Sequence, residues 1–94
     1  LYCNQNEKKY SLKELIKAKP DEKVCWKGKV LDVQPRSETN VRYTISCEGE
    51  PFVVELVRPT RSTIFLKDDN VIVYGKITDE EDVQILADMI AYSK

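Results

Sequence analysis

VIVYGKI at residues 71 to 77, TDEED at 78 to 82 and VQILADMIAY at 83 to 92 follow one another near the end of the chain, and their reading decides the fold. The first string is β-branched and aromatic, so it reads as a strand. Gly75 lies inside it, where a glycine marks a bulge or a bend. The acidic string is a turn. In the third string Val83, Leu86, Ala87 and Ile90 would suit one face of a helix, but the turn before it leaves a simple hairpin with VIVYGKI. A strand is therefore expected over 83 to 92.

Working outward, KVCWKGKVLDV at residues 23 to 33 is a long β-rich run with Gly28 inside it, so this first strand should bulge or curl. PRSETN, 35 to 40, carries turn chemistry. VRYTISC, 41 to 47, alternates Val41, Tyr43, Ile45 and Cys47 with Arg42, Thr44 and Ser46, the period of a half-buried strand. EGEP breaks the chain at 48 to 51, and PFVVELV supplies a third strand ending at Val57. RPTRSTIFLKDDN, 58 to 70, is an irregular connection. Ahead of all this, Ser11 and Glu14 have the form of a capping box, and Tyr10 and Leu15 stand where a hydrophobic staple would join. The helix so begun should stop near Ala18, because Pro20 cannot continue it. Residues 1 to 10 show no apolar period and read as a poorly ordered leader, and residues 11 to 94 as a single domain.

Ninety-four residues suffice for one core and not for two. A hydrophobic fraction of 41% and a charged fraction of 33% fit a globular domain rather than disorder or a membrane span. Because the numbering opens on Leu1, the chain reads as a fragment or a processed product. The net charge of −1 removes the simplest electrostatic argument for nucleic acid, and the absence of histidine excludes a Ser-His-Asp triad, a Cys-His dyad and histidine-bearing metal sites. Cys25 and Cys47 would lie near or beyond the ~7 Å Cα separation a disulfide tolerates, so both are expected as reduced core thiols. Cys3 is either a lipidation point or without a role.

KGKV at 27 to 30, LKDDN at 66 to 70, VIVYGKI and VQILADMI resemble strands of OB domains in the tRNA-anticodon and helicase-associated group, over about residues 22 to 92. The resemblance implies an all-β, five-stranded OB barrel with a short N-terminal helix, and a non-catalytic binding function without a cofactor. It also implies a groove across strands two and three, rimmed by the loops joining strands one and two and strands four and five. Bases stack on aromatic rings and phosphates need Lys or Arg. The candidates are accordingly Lys27, Lys29, Arg36, Arg42, Thr44, Phe52, Tyr74 and Lys76, with Ser46 and Val53 on the same face. Arg58 and Arg61 are further cations in the polar connection. Trp26 and Tyr43 are assigned to the core, and Tyr74 stands between exposure and burial.

Two ligands remain open on this reading. One is single-stranded nucleic acid, the habit of the resembled group. The other is a protein partner, in an OB-like interaction or extracytoplasmic domain, which the near-neutral charge and the acidic rim at Asp79 to Asp82 favour. An enzyme is the weakest class: the acids lack the spacing of a calcium loop, and no nucleophile has an evident base.

Overall fold

In the computed structural model, which describes residues 9–37, 39–57 and 64–93, one helix precedes five strands: α1 (Leu12–Lys17), β1 (Lys23–Pro35), β2 (Asn40–Cys47), β3 (Glu50–Val57), β4 (Asn70–Ile77) and β5 (Ile85–Tyr92). The strands close into a barrel in the order β1-β2-β3-β5-β4. This is the OB-type arrangement, and the final segment is the strand expected of it. Arg58, Arg61, Cys3 and most of the leader lie outside the described residues.

β1 makes closure possible because it serves two neighbours. Its first half, Lys23 to Lys29, pairs with β4, and its second half, Lys29 to Pro35, pairs with β2. The strand turns between them at a bulge whose extra residue is Leu31, between Val30 opposite Ile45 and Asp32 opposite Thr44. The bulge was expected at Gly28. That glycine answers a different need: a Cβ there would lie 2.5 Å from the Ser46 carbonyl oxygen and 2.7 Å from the Trp26 ring. Gly75 is comparable, since a Cβ would run into the Leu86 carbonyl and lie 2.7 Å from Ala87 Cα. The bulge next to it sits in the partner strand, where Asp88 is the extra residue between Met89 and Ala87.

The strand-and-turn pattern of the sequence leads one to expect a wholly antiparallel barrel, and the structure departs from it in one pair. Val54 to Leu56 of β3 pair in parallel with Ile85 to Ala87 of β5. The reason is topological: a closed ring with an odd number of strands cannot alternate direction at every step, so one pair must run parallel. Between β2 and β3, Glu48 and Gly49 take φ of 50° and 92°. Both central residues of this two-residue hairpin are thus left-handed, as a turn matching the strand twist requires.

The strand alternation buries Trp26, Tyr43, Ile45, Val54, Val73 and Ile85 completely. Leu15 of α1 and Phe65 from the connection before β4 join the same cluster. The Tyr43 hydroxyl accepts the Phe65 N–H at 3.1 Å, so that buried phenol is paired, whereas Trp26 Nε1 is buried with no partner among the described residues. Ser11 caps α1 with both reciprocal bonds of the capping box in place. Tyr10 packs against the core cluster and its hydroxyl donates to Glu22 at 2.8 Å, so the last residue of the expected leader is part of the fold.

Cys47 is a free, buried thiol, as expected. Cys25 is not: it is disulfide-bonded. Strand alternation explains the difference, since Cys47 points into the core whereas Cys25, between inward-facing Val24 and Trp26, points to the outside of β1. There the Tyr10 N–H donates to its carbonyl at 2.7 Å.

Candidate binding groove

The hairpin turn at Glu48 and Gly49 fixes the register of β2 against β3, placing Arg42 opposite Glu55 and Thr44 opposite Val53. These four residues are half-buried on the outer face. Gln84 draws the β4–β5 loop onto this face. Its side-chain oxygen accepts the Val53 N–H at 2.6 Å, its own N–H donates to the Val53 carbonyl at 3.0 Å, and its carbonyl accepts from Thr78 at 3.0 Å. The result is a depression of about 390 Å³ lined by Arg42, Glu55, Glu80, Glu81, Asp82 and Val83.

The electrostatics of this groove are dominated by carboxylates. Among the described residues Arg42 is its single cation, and Glu55 occupies it through Nε at 3.3 Å and Nη2 at 3.0 Å, both to the same carboxylate oxygen. The pair is largely shielded, with side-chain exposures of 22% and 19%. A second Glu55 oxygen accepts from Asn40 at 3.2 Å, which further holds the carboxylate in place. A strand of phosphates entering here would meet Glu80, Glu81 and Asp82 with the one counter-charge among the described residues already engaged.

The other candidates do not converge on the groove. Arg36 is exposed at the β1–β2 loop, its N–H donating to the Asn40 carbonyl at 2.9 Å. Phe52 turns inward, because β3 alternates it with Val53 and sets it in register with Val54 and Leu56. Its ring meets Trp26 with centroids 5.6 Å apart. Tyr74 and Lys76 lie on β4, on the other flank of β1. Tyr74 is half-buried with Lys23 Nζ 5.7 Å from its ring centre, and Lys76 approaches Asp21 at 3.8 Å. Lys27 and Lys29 line a separate open depression of about 350 Å³ with Gly28, Ser46, Glu48, Asn70 and Ser93. Neither lysine forms an ion pair among the described residues, although Glu48 stands beside them, its carboxylate accepting the Leu12 N–H at 2.8 Å.

Glu55 and Gln84 are the groove residues the sequence reading missed. Glu55 had a usable signal: two residues between strands at Glu48 and Gly49 set the register, and that register puts Glu55 across from Arg42. Gln84 had none, since its bonds depend on how β5 approaches β3.

No protein-family model and no curated protein matches the sequence. Among solved structures, the chain is similar to a chain of a Replication Protein A heterotrimer bound to ssDNA. The TM-score is 0.70 at 12% identity, over 89% of this chain and 78% of that one. At that identity the likeness is one of fold, and together with the closed five-stranded barrel it gives this chain an OB-type fold.

Proposed function

We propose that the chain is a non-catalytic OB-fold binding domain whose β2–β3 groove takes a basic segment of another protein. The observation that carries this reading is the charge of the groove, where Glu80, Glu81 and Asp82 surround an Arg42 already bound by Glu55. A flexible cationic side chain gains from this arrangement, and a phosphodiester backbone loses.

Single-stranded nucleic acid is the second reading. It is favoured by the similarity in fold to a protein bound to ssDNA and by the paired Lys27 and Lys29 at the second depression. On this reading Lys27 and Lys29, with Arg36, contact phosphates, and Arg42, Thr44, Tyr74 and Lys76 contribute at a distance from them. Phe52 contributes only by supporting β3 from within. The finer kinship with the tRNA-anticodon and helicase-associated group belongs to this second reading.

Titration of labelled single-stranded DNA and RNA, beside a labelled arginine-rich peptide, at low and at physiological salt separates the two. The peptide should bind in a salt-sensitive manner and be weakened by Glu80→Gln with Glu81→Gln, while neither polymer binds. Saturable binding of DNA or RNA at low salt, weakened by Lys27→Ala with Lys29→Ala, would instead establish the second reading.

A further inference from the structure

We propose that the outer face of β2 and β3 is bipolar and takes an extended segment of a partner protein in which a basic group and an acidic group stand about four residues apart. The proposal rests on the groove's taking a basic segment and adds to that segment a second, anionic half. Strand register sets the spacing. Arg42, Thr44 and Ser46 alternate along the outer face of β2, with Glu55, Val53 and Pro51 opposite them on β3. On the other side of β2, Lys29 of β1 is level with Ser46. Ser46 lines the depression that Lys27 and Lys29 share, whereas Arg42 lines the acidic groove, so one strand face joins the two. The stretch from Arg42 to Ser46 is ~13 Å of strand.

The two poles are opposite in sign. At one, Glu80, Glu81 and Asp82 line the groove with an Arg42 that Glu55 already holds. At the other, Lys27 and Lys29 are exposed, and neither forms an ion pair among the described residues. Glu48 is the one acid of that depression among the described residues, and its carboxylate accepts the Leu12 N–H at 2.8 Å. The Ser46 hydroxyl donates to the Lys29 carbonyl at 3.4 Å, so the two ammonium groups are what an anion meets first. Between the poles, exposed Asp32 of β1 is level with Thr44 and carries the negative sign towards the lysines. A uniformly basic segment would meet like charge at Lys27 and Lys29, and a uniformly acidic one would meet it at the groove. A segment of both signs matches the whole face.

The test titrates the full chain with labelled peptides at low and at physiological salt. One peptide carries arginines alone. Others add glutamates about four residues before or after the arginines, and a control of the same composition interleaves the two charges. One of the two bipolar peptides should bind about 3- to 10-fold more tightly than the arginine peptide at low salt. That advantage should shrink at physiological salt, and the interleaved control should bind more weakly than the arginine peptide. Lys27→Gln with Lys29→Gln should abolish the advantage without weakening the arginine peptide, and Lys27→Arg with Lys29→Arg should keep it. Failure of the arginine peptide to bind would reject the groove reading and this proposal with it. An arginine peptide that binds with no gain from either bipolar arrangement, or a gain that survives the glutamine substitutions, would overturn the proposal alone. So would saturable binding of single-stranded DNA lost with the same substitutions, which would give the lysines to phosphates.

Discussion

Gly28 and Gly75 show how a single residue type answers a close approach rather than a special backbone angle. At Gly75 the obstacle to a Cβ is the β5 backbone at Leu86 and Ala87, which no rotamer change can clear. Gly75→Ala should therefore destabilise by about 3 kcal/mol, the upper part of the range for overpacking, as read by urea denaturation. Gly49 is the contrasting case: a Cβ there meets nothing, but φ is 92°, so Gly49→Ala should cost only about 1 to 2 kcal/mol through strain. At the Arg42–Glu55 pair, Glu55→Gln releases the guanidinium into the groove. If the groove selects by charge, this substitution should weaken the arginine-rich peptide, and because the pair is largely shielded it should also destabilise, by about 1 to 3 kcal/mol. Cys47 and Tyr10 both contribute to the alkaline limb of stability. Burial, with Glu48 adding to it, raises the Cys47 thiol above 9.0, and the hydrogen bond to Glu22 is the main cause raising Tyr10 above 10.0. A raised pKa favours the protonated form in the folded state, so this contribution is complete below the ordinary values and fades as pH climbs towards the raised ones. Thermal melts from pH 7 upward should show Cys47→Ser losing less stability than the wild type above about pH 9.

Among the elements, α1 depends most on what surrounds it. Its capping box and the packing of Leu15 act together, so Ser11→Ala should cost about 1 kcal/mol and raise amide exchange across Leu12 to Lys17 without unfolding the barrel. The short helix was visible in the sequence because capping chemistry is local. The strands were visible for a similar reason: Val41, Tyr43, Ile45 and Cys47 alternate with polar residues in β2, and that period survives whatever the partner strand. The bulge at Leu31 was not visible. Its position follows from where β1 leaves β4 for β2, and two strands far apart in sequence set that point together.

For the whole molecule, charge distribution outweighs net charge. The chain sits at −1, yet Glu55, Glu80, Glu81 and Asp82 line the β2–β3 groove while Lys27 and Lys29 face a different depression. If Lys27 and Lys29 are the phosphate contacts, their replacement by alanine should flatten the slope of log affinity against log salt by about 1.4 for a single strand, whereas Arg42→Ala should leave the slope unchanged. A flattened slope with Arg42→Ala would instead place the strand in the β2–β3 groove.

By itself the sequence determined the class of fold, the capped helix, the strand periods and the burial of Trp26 and Tyr43, because each rests on interactions within a few residues or on a simple alternation. Tertiary structure alone decided the parallel contact of β3 with β5, which an odd number of strands imposes on a closed ring. It also decided the inward turn of Phe52, the capture of Arg42 by Glu55 and the separation of Tyr74 and Lys76 from Arg42. Those outcomes depend on which strands become neighbours and in what register, and a barrel distributes residues of one sequence pattern around its whole circumference.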